Sequence, residues 1–177
     1  MKIITVNPSS EAYGLIADSA LNLPGRPVFL PDIPEVAEWK ASFFLAVKIC
    51  RLGKTIKEKF AHRYFDRISL AMRLTPVGPD GNTIGAIASV SDFALTLGEW
   101  TEIPTEEFSI IANSQTVHMS GCREIISRSI ENLSRIATLK IGDIILLPIE
   151  LPAVPVAIGD RFEGSIAGSH IFSCRIR

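Results

Sequence analysis

A chain of 177 residues, 47% of them apolar, is long enough to bury a core without disulfide or metal staples. Its formal net charge of −1 gives no electrostatic reason to expect nucleic acid or an anionic membrane surface as a partner. A mean hydropathy of +0.28 is high, but the longest apolar stretch, 144–158, is broken by Pro148, Glu150, Pro152 and Pro155 and falls short of the roughly 20 residues a helical span needs.

The opening MKIITV is β-branched and predicts a first strand, too short before Asn7-Pro8 to be a secretory signal. The expected location is therefore cytoplasmic, with surplus apolar surface covered by the core or by an oligomer interface. The stretch that follows carries Pro24, Pro27, Pro31 and Pro34 and predicts loop with short extended pieces such as PVFLP. SFFLAVKI, 42–49, is almost continuously apolar, the pattern of a strand buried on both faces. A turn at Gly53 leads to Thr55-Ile56-Lys57-Glu58, which fits a capping box. A short helix is expected from there, with Ile56, Phe60 and Tyr64 along one face.

RISLAMRLTPVG predicts a further strand closed by Pro76 and the turn-rich GPDGN, and 77–100 supports no assignment. FSIIANSQTVHMS reads as strand then loop. The clearest helix runs from Cys122 to Ala137, with Ser120 as its N-cap. Its apolar stripe is Cys122, Ile125, Ile126, Ile130, Leu133 and Ala137, and Arg123, Glu124, Ser127, Arg128, Glu131 and Arg135 take the other faces. GDIILLP, DRFEGSIAG and HIFSCRIR are three extended segments. The two Ile-Gly-Asp triplets, ending at Asp143 and Asp160, read as strand-opening turns in which glycine relieves the backbone and Asp hydrogen-bonds locally. The fold class is α+β, mainly β, with two modest helices in one domain spanning 1–177: an irregular segment at 1–35 and a core at 36–177.

Chemistry is sparse. No GxSxG, Walker A, GxGxxG or HExxH motif occurs. His62, His118 and His170 are far from one another and read as surface or hydrogen-bonded histidines unless folding gathers them. Cys50, Cys122 and Cys174 are odd in number and widely spaced, which suits inert thiols better than a zinc site or a disulfide framework. Asp160 with Glu163, and Glu102 with Glu106 and Glu107, fit a solvated turn and a charged loop better than an acid pair.

The order of the pieces is more informative than any one of them. FFLAVKI, a glycine, a short helix and ISLAMRLTP, followed by a helix running into LSRIATLKIGDIILLP and then AIGDRFEGSIAG, resemble the core of the fumarylacetoacetate hydrolase family. Thr138-Leu139-Lys140-Ile141-Gly142-Asp143 and Gly159-Asp160 match the family's two Gly-Asp turns in order and separation, and GRPVFLPD resembles its Pro-x-x-Phe segment. The resemblance covers most of 25–177. It implies a mixed β-roll, usually a homodimer, acting on small oxo-acids of the acylpyruvate type.

The same resemblance implies a Mg²⁺ or Mn²⁺ ion held by a Glu-x-Glu pair and a later Asp, clamping an enolisable oxo-acid. Those positions fall here on Ser42, Phe44 and Arg73, none of which is an anionic ligand. The family's Gly-Thr-Pro loop falls on Pro148-Ile149-Glu150, its lysine has no counterpart because 75–110 contains no Lys, and LIADSALN lacks the His/Glu pair of hydrolytic members. Departures at five separate places imply a dismantled site. The metal is not expected, and the expected function is a non-catalytic binding or structural homologue. The alternative is a hydrolase, isomerase or decarboxylase using metal-free chemistry on a small oxo-acid. In that case Arg73 and Lys48 would be the anion-binding residues and Glu150 a base, unless Arg73 merely pairs with a neighbouring acid.

Overall fold

The computed structural model describes residues 1–7 and 12–177, so part of the expected irregular stretch, 8–11, lies outside the described residues. In chain order the strands and helices are β1 (Ile3–Asn7), β2 (Ala12–Ile16), β3 (Leu21–Asn22), β4 (Glu38–Ile49), α1 (Glu58–Ala61), β5 (Phe65–Val77), α2 (Gly85–Val90), β6 (Leu95–Leu97), β7 (Thr101–Glu102), β8 (Phe108–Ala112), β9 (Gln115–Met119), α3 (Cys122–Ile136), β10 (Ile144–Pro148), β11 (Val154–Val156), β12 (Arg161–Ile166) and β13 (Ser169–Arg175). The larger sheet runs β2-β1-β10-β4-β5-β6-β3, with β11 added to β4 and β7 to β5. A smaller sheet runs β13-β12-β8-β9.

The strand β4 explains both layers of the fold. Alternate residues point to opposite faces. Trp39, Ala41, Phe43, Leu45 and Val47 enter the main core shared with Phe162 and Phe172 of the small sheet and Ile126, Ile130 and Leu133 of α3. Phe43 meets the ring of Phe162 at 6.2 Å and that of Phe172 edge-on at 6.4 Å. On the opposite face Ala46 joins Ile3, Ile16, Ala71, Leu95, Ile144 and Leu146 in a second cluster, with Phe44 packed against it. The near-continuous apolar run of 42–49 is thus a strand covered on both sides.

Both Ile-Gly-Asp triplets are turns of one design. Gly142 and Gly159 take left-handed φ values of 86° and 102°, where a side chain is disfavoured. The Asp that follows accepts a hydrogen bond at 2.8 Å from the backbone N–H three residues earlier, Lys140 to Asp143 and Ala157 to Asp160. Asp143 does more: it is 1% exposed, accepts from the N–H of Lys2 at 2.8 Å and pairs with the Lys2 ammonium at 2.6 Å. That clamp starts the parallel pairing of β1 with β10, Ile3 opposite Ile144.

Several expectations are corrected. The strand expected at MKIITV is β1, which lies inside the larger sheet because its branched residues fill both apolar clusters, and the remainder of 1–35, expected to be irregular, adds β2 and β3. Thr55 is no N-cap: it sits at φ 53°, and α1 is a single turn that starts after Lys57. Its free N–H groups are met by α3 instead, Ile56 donating to Ser134 Oγ at 2.8 Å and Glu58 to Glu131 Oε2 at 3.2 Å. Phe60 is exposed under Lys59 and Arg63, so the expected face of Ile56, Phe60 and Tyr64 is not a buried stripe. Ser120 does not cap α3. The N-cap is Gly121 at φ 59°, with no side-chain hydrogen bond. The expected stripe is buried at Cys122, Ile126, Ile130 and Leu133 but open at Ile125, while Ser127 is buried. The segment after FSII is not loop but β9, turned back through Asn113 and Ser114, both at positive φ as a tight hairpin turn demands. The unassigned 77–100 contains α2 and β6, a third helix and a short strand.

Candidate functional site

Residues directly opposite one another in an antiparallel ladder share a face. Ser42 lies opposite Arg73, and Arg73 opposite Leu95. Phe44 lies opposite Ala71 on one side and Pro148 on the other. Thr5 pairs with Leu146 and with Gly14, which carries the same face out to the sheet's edge. The result is a concavity of about 320 Å³ lined by Thr5, Val6, Tyr13, Gly14, Phe44, Arg73 and Pro148.

Arg73 is the one charged side chain in that lining. Its Nη2 donates to the backbone carbonyl of Ala88 in α2 at 3.0 Å. Its Nε is shielded from water and has no hydrogen-bond partner among the described residues. Burial pulls the guanidinium pKa down from its ordinary value, yet arginine stays protonated. No carboxylate forms an ion pair with it among the described residues, so the expected alternative of a neighbouring acid gives way to a main-chain carbonyl.

The structure brings together four of the six positions aligned with the family pocket: Ser42 and Arg73 side by side, with Phe44 and Pro148 one row on. Ile149 turns away into the main core, and Glu150 is exposed beyond the concavity. Lys48 shares the face of Ser42 but lies six residues along β4, roughly 20 Å of strand. Its ammonium stands over the Trp100 ring, 5.9 Å from the centroid, and does not approach Arg73. The histidines are not gathered: His62 and His170 are exposed, and His118 meets Ser109 at 3.2 Å. All three cysteines are free.

Sequence reasoning missed Thr5, Val6, Tyr13 and Gly14. The signal was available in YGLI, a short apolar run after a first strand, which reads as the second arm of a hairpin. Gly14 has a local reason as well: a Cβ there would collide with Thr5 Oγ1.

A hard divalent cation takes oxygen ligands, carboxylates above all. Among the described residues the lining contains no Asp, Glu or His, and its one charged side chain is the cation of Arg73. Among the described residues no group of three His, Cys, Asp or Glu is placed to hold a metal. The residues present do not fit Mg²⁺ or Mn²⁺.

The curled mixed sheet closed by a second, smaller sheet is the fold of the fumarylacetoacetate hydrolase family. The sequence itself matches no family model and no curated protein. Solved structures match over 99% of this chain. A 2-hydroxyhepta-2,4-diene-1,7-dioate isomerase from Mycobacterium marinum superposes with a TM-score of 0.80 at 20% identity, over 73% of its own length. A fumarylacetoacetate hydrolase family protein from Yersinia pestis CO92 gives 0.77 at 19% identity over 92% of its length. A maleylpyruvate hydrolase from Sphingobium sp. SYK-6, in complex with manganese(II) and pyruvate, gives 0.75 at 22% over 70%. Among the described residues no helix is long and apolar enough to cross a membrane.

Proposed function

We propose that this chain uses a fumarylacetoacetate hydrolase fold to bind a small carboxylate at Arg73 without a divalent ion, and that it is a binding homologue rather than a catalyst. The observation that carries this reading is the guanidinium itself: a half-buried cation that lines a concavity and has no carboxylate partner among the described residues. A carboxylate seated in the concavity would supply the guanidinium with a charge partner. The same lining argues against turnover. Thr5, Tyr13 and Arg73 are its polar side chains, and among the described residues it holds no carboxylate or imidazole to act as a general base.

A second reading, a hydrolase, isomerase or decarboxylase acting on a small oxo-acid, draws on the neighbours just named, an isomerase and a hydrolase that superpose over nearly the whole chain. Its base would have to come from outside the lining, with Glu150 as the nearest sequence candidate.

Thermal unfolding with a simple monocarboxylate such as butyrate or pyruvate, with Mg²⁺ or Mn²⁺, and with both together separates the readings. A ligand at a hundred times its dissociation constant adds about 2.7 kcal/mol, a clear rise in midpoint. Stabilisation by the carboxylate alone, lost in Arg73→Met, is expected. Stabilisation that requires the metal would overturn the proposal and restore metal-dependent chemistry.

A further inference from the structure

Resting on that carboxylate-binding reading, we infer that the ligand is a monocarboxylate with an apolar body, not a dicarboxylate and not a chelating oxo-acid. The charge count is the first reason. Arg73 is the single cation in the lining, and Lys48 is held against Trp100 elsewhere on the sheet. One guanidinium matches one carboxylate fork. A second carboxylate in the same concavity would be desolvated with no partner, which is strongly unfavourable.

The walls are the second reason. Beyond Arg73 the lining is mainly Val6, Phe44, Pro148 and Gly14, with Thr5 and Tyr13 each offering a hydroxyl. Phe44 occupies a position that the fold's metal-binding members are expected to give to a carboxylate, and it is packed on an apolar cluster that fixes it. Gly14 matters to the shape: a side chain there would collide with Thr5 Oγ1, so the glycine leaves that hydroxyl clear beside the concavity. The volume, about 320 Å³, is at the small end of ligand pockets. An anchored head meets Arg73 and an apolar tail meets Val6, Phe44 and Pro148, while an α-oxo group has no ion to chelate and no lysine to meet.

The test is isothermal titration of the intact chain, in chelator and without divalent ions, with acetate, butyrate, hexanoate, glutarate and pyruvate. Each buried methylene is worth about a fourfold gain in affinity. Hexanoate is expected to bind at least tenfold more tightly than acetate, and more tightly than glutarate. Phe44→Ala is expected to flatten the series, and Arg73→Met to abolish binding of every member. A flat or falling series in which pyruvate still binds and still needs Arg73 would overturn this inference and leave the carboxylate-binding reading intact. No binding of any member to the unaltered chain would remove both. The chain-length series decides the matter even if Phe44→Ala does not fold.

Discussion

Asp143→Asn changes one buried atom and tests how the N-terminus is held. Asp143 uses its two oxygens separately: Oδ1 accepts from Lys2 N–H, while Oδ2 accepts from Lys140 N–H and faces the Lys2 ammonium. An asparagine keeps one oxygen and presents an amide NH₂ at the other place, so whichever way it turns, one N–H meets another. A hydrogen bond to a charged group is worth about 1.5–3 kcal/mol, and the donor left unsatisfied adds about 1–3 kcal/mol. The expected loss at pH 7 is therefore about 3–5 kcal/mol, read from urea unfolding. The pH dependence gives a second check. Desolvation is the largest single influence on Asp143 and pushes its pKa up, but the Lys2 ammonium and two backbone N–H groups together outweigh it, so the net shift is downward. A depressed carboxylate stabilises the fold above its unfolded pKa, about 3.9, and that stability is lost as pH falls through the lower folded value. The stability gap between the unaltered protein and the Asp143→Asn variant should thus be full at pH 7 and shrink below about pH 4. Because the clamp aligns β1, which brings Thr5 to the concavity, carboxylate affinity should fall as well. A variant within about 0.5 kcal/mol, the range of an ordinary surface substitution, or a gap unchanged by acid, would refute this account.

Other outcomes follow from packing and burial. A Cβ on Gly164 would collide with Leu70 Cδ2 and stand 2.9 Å from the Ile111 carbonyl oxygen. Gly164→Ala should therefore lower stability by about 3 kcal/mol, the upper end for overpacking, measured by urea unfolding. Ser134→Ala removes the acceptor for the Ile56 N–H and should cost about 1–2 kcal/mol, the scale of a lost cap, with α1 fraying first in hydrogen exchange. Burial pushes the Cys122 thiol up to about 11 and raises Cys174 and, with Asp66 nearby, Cys50 as well, but Cys50 alone of the three is not buried. At pH 8 only the half-buried Cys50 should react with a disulfide reagent in the native protein, and all three cysteines after unfolding.

Periodicity made the long strands, α3 and both Gly-Asp turns legible, because each writes its own burial or backbone requirement locally. The start of α1 was misread because its capping groups come from Ser134 and Glu131, more than seventy residues away. A capping box at Thr55 is a local inference, and here a tertiary contact replaced it. β1 is legible in MKIITV, but its hairpin partner β2 is hidden by the proline-rich text after it, and with it Thr5, Tyr13 and Gly14 as lining residues. Phe44, Arg73 and Pro148 in the concavity, and Ser42 beside Arg73 on the ladder, could be named in advance only through the resemblance. Nothing in their local sequence joins 42 to 73, and the ladder between β4 and β5 does so. Lys48 illustrates the opposite error, since sharing a strand face does not bring two residues together.

Arg73 also sets a stability against a function, and the sign of that balance can be measured. Arg73 is half-buried, and holding its guanidinium beside Phe44 carries a desolvation cost that its remaining exposure lessens. The bond to the Ala88 carbonyl returns about 1.5–3 kcal/mol of it, and the unmatched Nε returns none. Replacement by an unbranched apolar side chain of similar length removes both the cost and the bond. Arg73→Met should therefore leave the ligand-free protein as stable as the natural one, or more stable by about 1–2 kcal/mol, as replacement of buried charges by apolar residues can do. It should at the same time erase stabilisation by carboxylates, the pattern of a residue kept for binding at the expense of stability. Urea unfolding with and without ligand measures both effects. A loss of more than about 1 kcal/mol in the ligand-free variant, outside the surface-substitution range, would make Arg73 a strut for α2. Its charge would then need no ligand to explain it.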